Sequence, residues 1–174
     1  NQNILNRDRK QYYFTFKGAF KRLKAEYKYF TVRPWSLEDV GKFWDTVKEY
    51  DVVNNEIYPY YRRFTNSYKL AEKYLTKSTY DILDIQARSG NGTAFWSKKI
   101  NINSAICIDF SDHLISLAKK RINHTSIPCK FIKINNFPIP IDDSSYNLVL
   151  CYETVENVFH YDHFTRELSR VITT

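Results

Sequence analysis

A glycine turn and a small set of acids are the residues here whose types and spacing could do chemistry. Ser89-Gly90-Asn91-Gly92 follows the apolar run around Ile82 to Ile85, which has the length of a buried parallel strand. Glycines in such a turn let backbone approach a ligand where a Cβ would collide. A helix predicted to open near Thr93 turns its unpaired N–H groups toward negatively polarised ligand atoms. Asp109 closes the next apolar run nineteen residues past Gly90, where the two hydroxyls of a ribose need a bidentate acceptor. Strand, turn, helix and acid-tipped strand together make a nucleotide-binding βαβ unit. Further on, Tyr152, Glu153 and His160 follow another strand at the carboxyl edge of the expected sheet, where open α/β folds bind ligands. Glu153 or His160 is a candidate general base for an acceptor that must lose a proton. The plainer alternative for each is a solvated loop carboxylate and a surface histidine.

The elements that must position these groups are legible from periodicity. Strands are predicted at about 81–86, 104–109, 130–135 and 147–151, with helices between them, which is the alternation of a parallel α/β sheet. Ahead of them the chain reads as helical. Ser36 with Asp39 is a near-match to a capping box, and Val40, Phe43, Trp44, Val47 and Tyr50 follow at helical spacing. Pro59 interrupts the next stretch, and a second helix over roughly 60–76 carries Tyr61, Phe64, Tyr68, Ala71 and Leu75 on one face. A last helix, about 162–171, does the same with Phe164, Leu168 and Val171. Three regions result: a basic aromatic segment over 1–35, a helical cap or lid over 36–79, and a cofactor-binding core over 80–174.

The 174 residues suffice for one full core. Cys107, Cys129 and Cys151 each fall at or beside a predicted strand, where a thiol packs as a small apolar group, so packing is expected over a disulfide or a metal site. No apolar run is long enough to cross a bilayer and no signal-peptide pattern is present, which points to the reducing cytoplasm. Methionine is absent even at residue 1, so the chain is expected to begin inside a longer product. The net charge of +7 lies wholly in residues 1–33, which hold nine Lys/Arg and two Asp/Glu. Eight aromatics interleave with those cations, and Phe20, Leu23, Tyr27 and Phe30 fit one helical face. Such a segment can meet nucleic acid or an anionic membrane surface, or pack on the domain with its basic face solvated.

Asp84 to Thr93 resembles the first motif of the class I S-adenosylmethionine-dependent methyltransferases, an acid followed by three alternating glycines. Ala105 to Ala118 is similar to their second motif, and Lys130 to Val158 to the strand, proline-bearing loop and fourth strand that wrap the adenine. The match covers roughly residues 40–172. It implies a Rossmann-like doubly wound parallel sheet, S-adenosylmethionine as cofactor, and a small-molecule acceptor. It also implies a cofactor site drawn from Asp84, Gln86, Arg88, Ser89, Gly90, Asp109, Phe110, Asn135, Asn136, Phe137 and Tyr152, under a lid that Tyr50, Tyr58 and Tyr61 would line, although for each of the three core packing is the plainer expectation. No metal is implied.

The departures from that pattern are specific. Gln86 and Arg88 stand where the first two motif glycines are usual, Asn135 or Asn136 where an aspartate meets the adenine amine, and Glu156-Asn157 where a Glu-His pair is frequent. Gln86 and Arg88 can turn away, with Arg88 pairing with the cofactor carboxylate; otherwise they mark a non-catalytic domain that serves as a partner or scaffold. A dinucleotide-binding protein fits less well, since the three-glycine fingerprint is missing. The family sheet has seven strands and four are readable, so the fourth is expected as an exposed edge unless a further segment or a second chain covers it.

Overall fold

The computed structural model describes residues 20, 23, 24, 27, 35–47, 58–158 and 160–173. Four parallel strands form one sheet, β1 (Tyr80–Ile85), β2 (Ile102–Asp109), β3 (Cys129–Lys133) and β4 (Leu148–Cys151), in the order β3-β2-β1-β4. The chain runs outward from β1 through β2 to β3 and then crosses to the other side of β1. Ligands of such sheets bind at the carboxyl ends of the strands beside that reversal, here β1 and β4. All four strands lie within a few residues of their expected positions.

Helices cover both faces, as the apolar content of β1 requires. Successive β1 side chains point to opposite faces. Leu83 and Ile85 join a core with Leu37, Val40, Phe110, Phe164 and Val171, whereas Ile82 joins Phe64, Phe95 and Trp96 on the other face. The helices supplying these groups are α1 (Leu37–Asp45), α2 (Tyr58–Ala71), α3 (Asn91–Trp96), α4 (Asp112–Ile122) and α5 (Tyr161–Val171).

Local chemistry explains the boundaries. Ser36 and Asp39 complete the capping box, the Asp39 amide donating to Ser36 Oγ at 3.1 Å and the Ser36 amide to Asp39 Oδ2 at 3.3 Å. Helix α1 ends at Asp45, so Tyr50 is not part of it, and Tyr50 lies outside the described residues. Pro59 does not interrupt α2 but sits in its first turn, where a missing N–H loses nothing. The helix gives way at Ala71 to a 3-10 turn, Glu72–Tyr74. Helix α3 opens at Asn91, two residues before the expected start, with Gly90 as its cap.

Arg170 on α5 holds the loop before β4, donating to the carbonyls of Ile139 and Ile141 at 2.9 and 2.6 Å and to Asp143 and Glu167. After α5 the chain turns alongside this loop. Ile172 makes a parallel bridge to Tyr146, with the Thr173 amide donating to the Tyr146 carbonyl at 2.7 Å. Among the described residues nothing pairs with the outer edge of β4 itself. Phe20, Leu23 and Tyr27 are helical and 69, 63 and 73% exposed; Phe30 lies outside the described residues. No described helix is long and apolar enough to cross a membrane.

Candidate functional site

The turn after β1 has the backbone of a glycine loop, with side-chain residues at two of its glycine positions. Gln86, Arg88 and Gly90 all take left-handed φ values, 54°, 55° and 76°. A Cβ on Gly90 would also press on Ala118 at 3.2 Å. Two acids brace the turn from below. Asp84 accepts from the amide and hydroxyl of Thr93 at 3.1 and 2.7 Å, so this N–H of α3 is already paired inside the protein. Burial pushes the Asp84 carboxyl up to about 7. Asp109 is likewise buried, and burial raises its pKa. Its Oδ2 accepts from the Arg88 amide at 2.8 Å, and its Oδ1 from the amides of Phe110 and Ser111 at 2.8 and 2.9 Å.

The side chains of the two replaced positions fold inward. Gln86 is 1% exposed and Arg88 5%. With its oxygen toward the guanidinium, Gln86 accepts from both Arg88 Nη atoms at 3.1 and 3.2 Å. Arg88 also donates to the Glu153 carbonyl at 3.3 Å, and its guanidinium carbon lies 3.7 Å from the centroid of the Trp44 ring. Trp44 Nε1 donates to Asn157 at 3.4 Å. Next to it, Asp45 accepts from the Ser111 hydroxyl and from the His113 amide at 3.1 Å. Helix α1 is thus tied to the β1 turn, the start of α4 and the turn after β4. It roofs the carboxyl edge so closely that a Cβ on Gly41 would lie 2.0 Å from the Phe110 carbonyl oxygen.

On the other flank α2 grips the residues after β4. Arg63 donates to both Glu153 carboxylate oxygens at 3.1 Å, and Glu153 takes a left-handed φ of 53°. Tyr152 Oη accepts from Trp96 Nε1 at 2.7 Å and meets the Ser67 hydroxyl at 2.6 Å. Burial raises the Tyr152 pKa. A Cβ on Gly92 would crowd both Asp84 Oδ2 at 3.0 Å and the Tyr152 ring at 3.3 Å, so that glycine lets α3 and Tyr152 approach.

The expected site residues therefore divide. Asp84, Gln86, Arg88, Ser89, Gly90, Asp109 and Phe110 come together at the crevice, all of them buried, Ser89 with its carbonyl accepting from Arg121 at 2.9 Å. Asn135 and Asn136 are exposed, and Phe137 is half-buried against Phe164 with centroids 5.9 Å apart. His160 is exposed at the N-cap of α5, its ring 5.6 Å from that of His163. Tyr61 is 43% exposed and meets Phe64 and Phe95 edge-on, while the Tyr58 side chain lies outside the described residues. Sequence reasoning passed over Arg63, Ser67 and Asp45, which carry no local signal; Trp44 was visible as part of an apolar helix face.

A family model described as a methyltransferase domain matches residues 83–174, more than half of the chain. The chain belongs to this methyltransferase domain family. No curated protein matches it in sequence. Among solved structures it is similar to a protein of Methanococcus maripaludis described as a putative S-adenosylmethionine-dependent methyltransferase, at 18% identity and TM-score 0.59 over 83% of this chain and 64% of that one. The (4+2)-cyclase SpnF is similar at 15% identity and TM-score 0.65, over 82% and 58%. A further S-adenosylmethionine-dependent methyltransferase, from Aquifex aeolicus, is similar at 16% identity and TM-score 0.55, over 80% and 68%. The chain thus spans less than two thirds of the length of the first two.

The cofactor named for two of these similar structures is S-adenosylmethionine. The backbone of this methyltransferase domain fits it: a left-handed turn after β1, an acid at the tip of β2 and the strand reversal between β1 and β4. The side chains as placed do not. Gln86 and Arg88 fill the space above the turn that glycines leave open, Asp109 has both oxygens engaged by backbone amides, and Phe110 is sealed under α1.

Proposed function

We propose that this domain is the cofactor-binding part of an enzyme that transfers methyl groups to a small-molecule acceptor. One observation carries the proposal. Gln86 and Arg88 hold the left-handed backbone of glycine, at roughly 1 kcal/mol or more each, facing Asp109. Two side-chain residues kept in that conformation preserve a loop shape whose use is close approach of backbone to a ligand. Methyl transfer needs the acceptor held in line in a dry pocket, and α1 and α2 both contact the residues at the carboxyl edge through Trp44 and Arg63. Glu153 and His160 are both exposed; Glu153, oriented by Arg63, is the better placed candidate base for an acceptor that loses a proton.

Tritiated-methyl S-adenosylmethionine, incubated with the protein and sets of phenols, quinols, amines and carboxylic acids, tests the assignment. Label is expected in an extractable small product, and its absence from every set would remove the assignment. A second function, a non-catalytic methyltransferase-like partner or scaffold, is favoured by the inward side chains of Gln86 and Arg88. SpnF is named as a cyclase, so the fold by itself does not assign the chemistry.

The division at 35/36 and 79/80 enters this proposal as basic segment, lid and core. The exposed apolar face of Phe20, Leu23 and Tyr27 and the +7 excess of residues 1–33 suit an anionic membrane or nucleic-acid surface. An added strand from this polypeptide or a second chain would cover β4 beyond the Tyr146–Ile172 bridge. The three free thiols suit a cytoplasmic setting.

A further inference from the structure

The mouth of the crevice is closed by three residues from three separate parts of the chain. Arg88 comes from the β1 turn, Trp44 from α1, and Asn157 from the turn after β4; each touches the next, at 3.7 Å between guanidinium and ring and 3.4 Å between indole and amide. Gln86 completes the closure from below by accepting from Arg88. A guanidinium stacked on an indole and shielded from water is held more firmly than one in solvent. Asp45 adds a second tie one residue further along, to the first turn of α4.

From this arrangement we infer that the cofactor cleft is self-occupied: Gln86 and Arg88 fill the place of the cofactor's methionine end, and α1 is latched over them through Trp44. The inference rests on the methyltransferase assignment above and states when that site is available. A ligand with the adenosine and amino-acid ends of S-adenosylmethionine enters only after the Arg88–Trp44 stack parts and α1 lifts from Phe110. Arg88 in this role competes with the cofactor, opposite to the carboxylate clamp that its charge alone suggests. Opening has to break the stack, the Trp44–Asn157 bond and the two bonds to Asp45 together, so the closed form is favoured in the absence of ligand.

Calorimetric titration of the full chain with S-adenosylhomocysteine decides it. The Gln86→Gly/Arg88→Gly protein removes both obstructions and also relieves two left-handed side-chain residues, so it is expected to remain folded. Trp44→Leu is the second variant, breaking the latch while leaving the turn intact. Both are expected to bind at least tenfold more tightly than wild type. Wild-type binding as tight as that of the double-glycine protein, or weakened by the glycine changes, overturns the self-occupied cleft and leaves the methyltransferase assignment standing. Absence of binding by wild type and by the folded variants alike overturns both.

Discussion

Gly41→Ala should destabilise the protein, against the rule for helices. Gly41 is in the middle of α1, and replacing a helical glycine by alanine ordinarily stabilises by about 1 kcal/mol. Here the added Cβ would lie 2.0 Å from the Phe110 carbonyl oxygen and 2.7 Å from its carbon, and both obstacles are backbone. Phe110 cannot retreat: its amide is held by Asp109 at 2.8 Å and its side chain is fully buried. Helix α1 must withdraw by more than an ångström to restore ordinary contact, which separates Leu37 and Val40 from the core they share with Phe110. Overpacking of this kind costs about 1–3 kcal/mol, and the propensity gain offsets about 1 of it. A net loss of up to about 2 kcal/mol lowers the melting temperature by up to about 8 °C in a chain of this size. Trp44 fluorescence should change in the same variant at temperatures where it remains folded, since the indole is drawn off Arg88. An unchanged or raised melting temperature with wild-type fluorescence would show that α1 is not seated on Phe110.

Asp84 makes stability depend on pH with a definite sign. Its pKa is about 7 when folded, against about 3.9 unfolded, so the folded chain binds the proton more tightly and stability falls as pH rises from about 4 to 7. The fall is on the order of 4 kcal/mol, with Asp109 acting in the same direction, and Asp84→Asn should flatten urea midpoints across that window. Asp109→Ala leaves three backbone amides without their carboxylate and should lower the urea midpoint by the equivalent of about 1–3 kcal/mol per amide left unsatisfied; a midpoint within error of wild type would disprove the bracing role. Retention of the full chain on anionic lipid vesicles or nucleic acid should drop steeply between low and physiological salt and vanish on deletion of residues 1–33; no retention even at low salt counts against a surface-binding segment.

Sequence by itself determined the parts of this protein that depend on neighbours close in the chain. The apolar runs located β1 to β4 to within a few residues, the Ser36–Asp39 pair located the start of α1, and the turn at Ser89 to Gly92 with Asp109 beyond it located the crevice. Such features follow from strand alternation, capping and glycine geometry, which operate over a few residues. The same pattern assigned Asp109 to a ribose and Arg88 to a carboxylate, because it states what a side chain can bond and not what reaches it first. Tertiary packing brought three backbone amides to Asp109 and an indole from forty-four residues away to Arg88. It paired Glu153 with Arg63 across ninety positions, a contact neither residue's surroundings suggest. The backbone of the site is therefore local information, whereas the destinations of its charged side chains depend on which helix covers the sheet edge and how closely it lies.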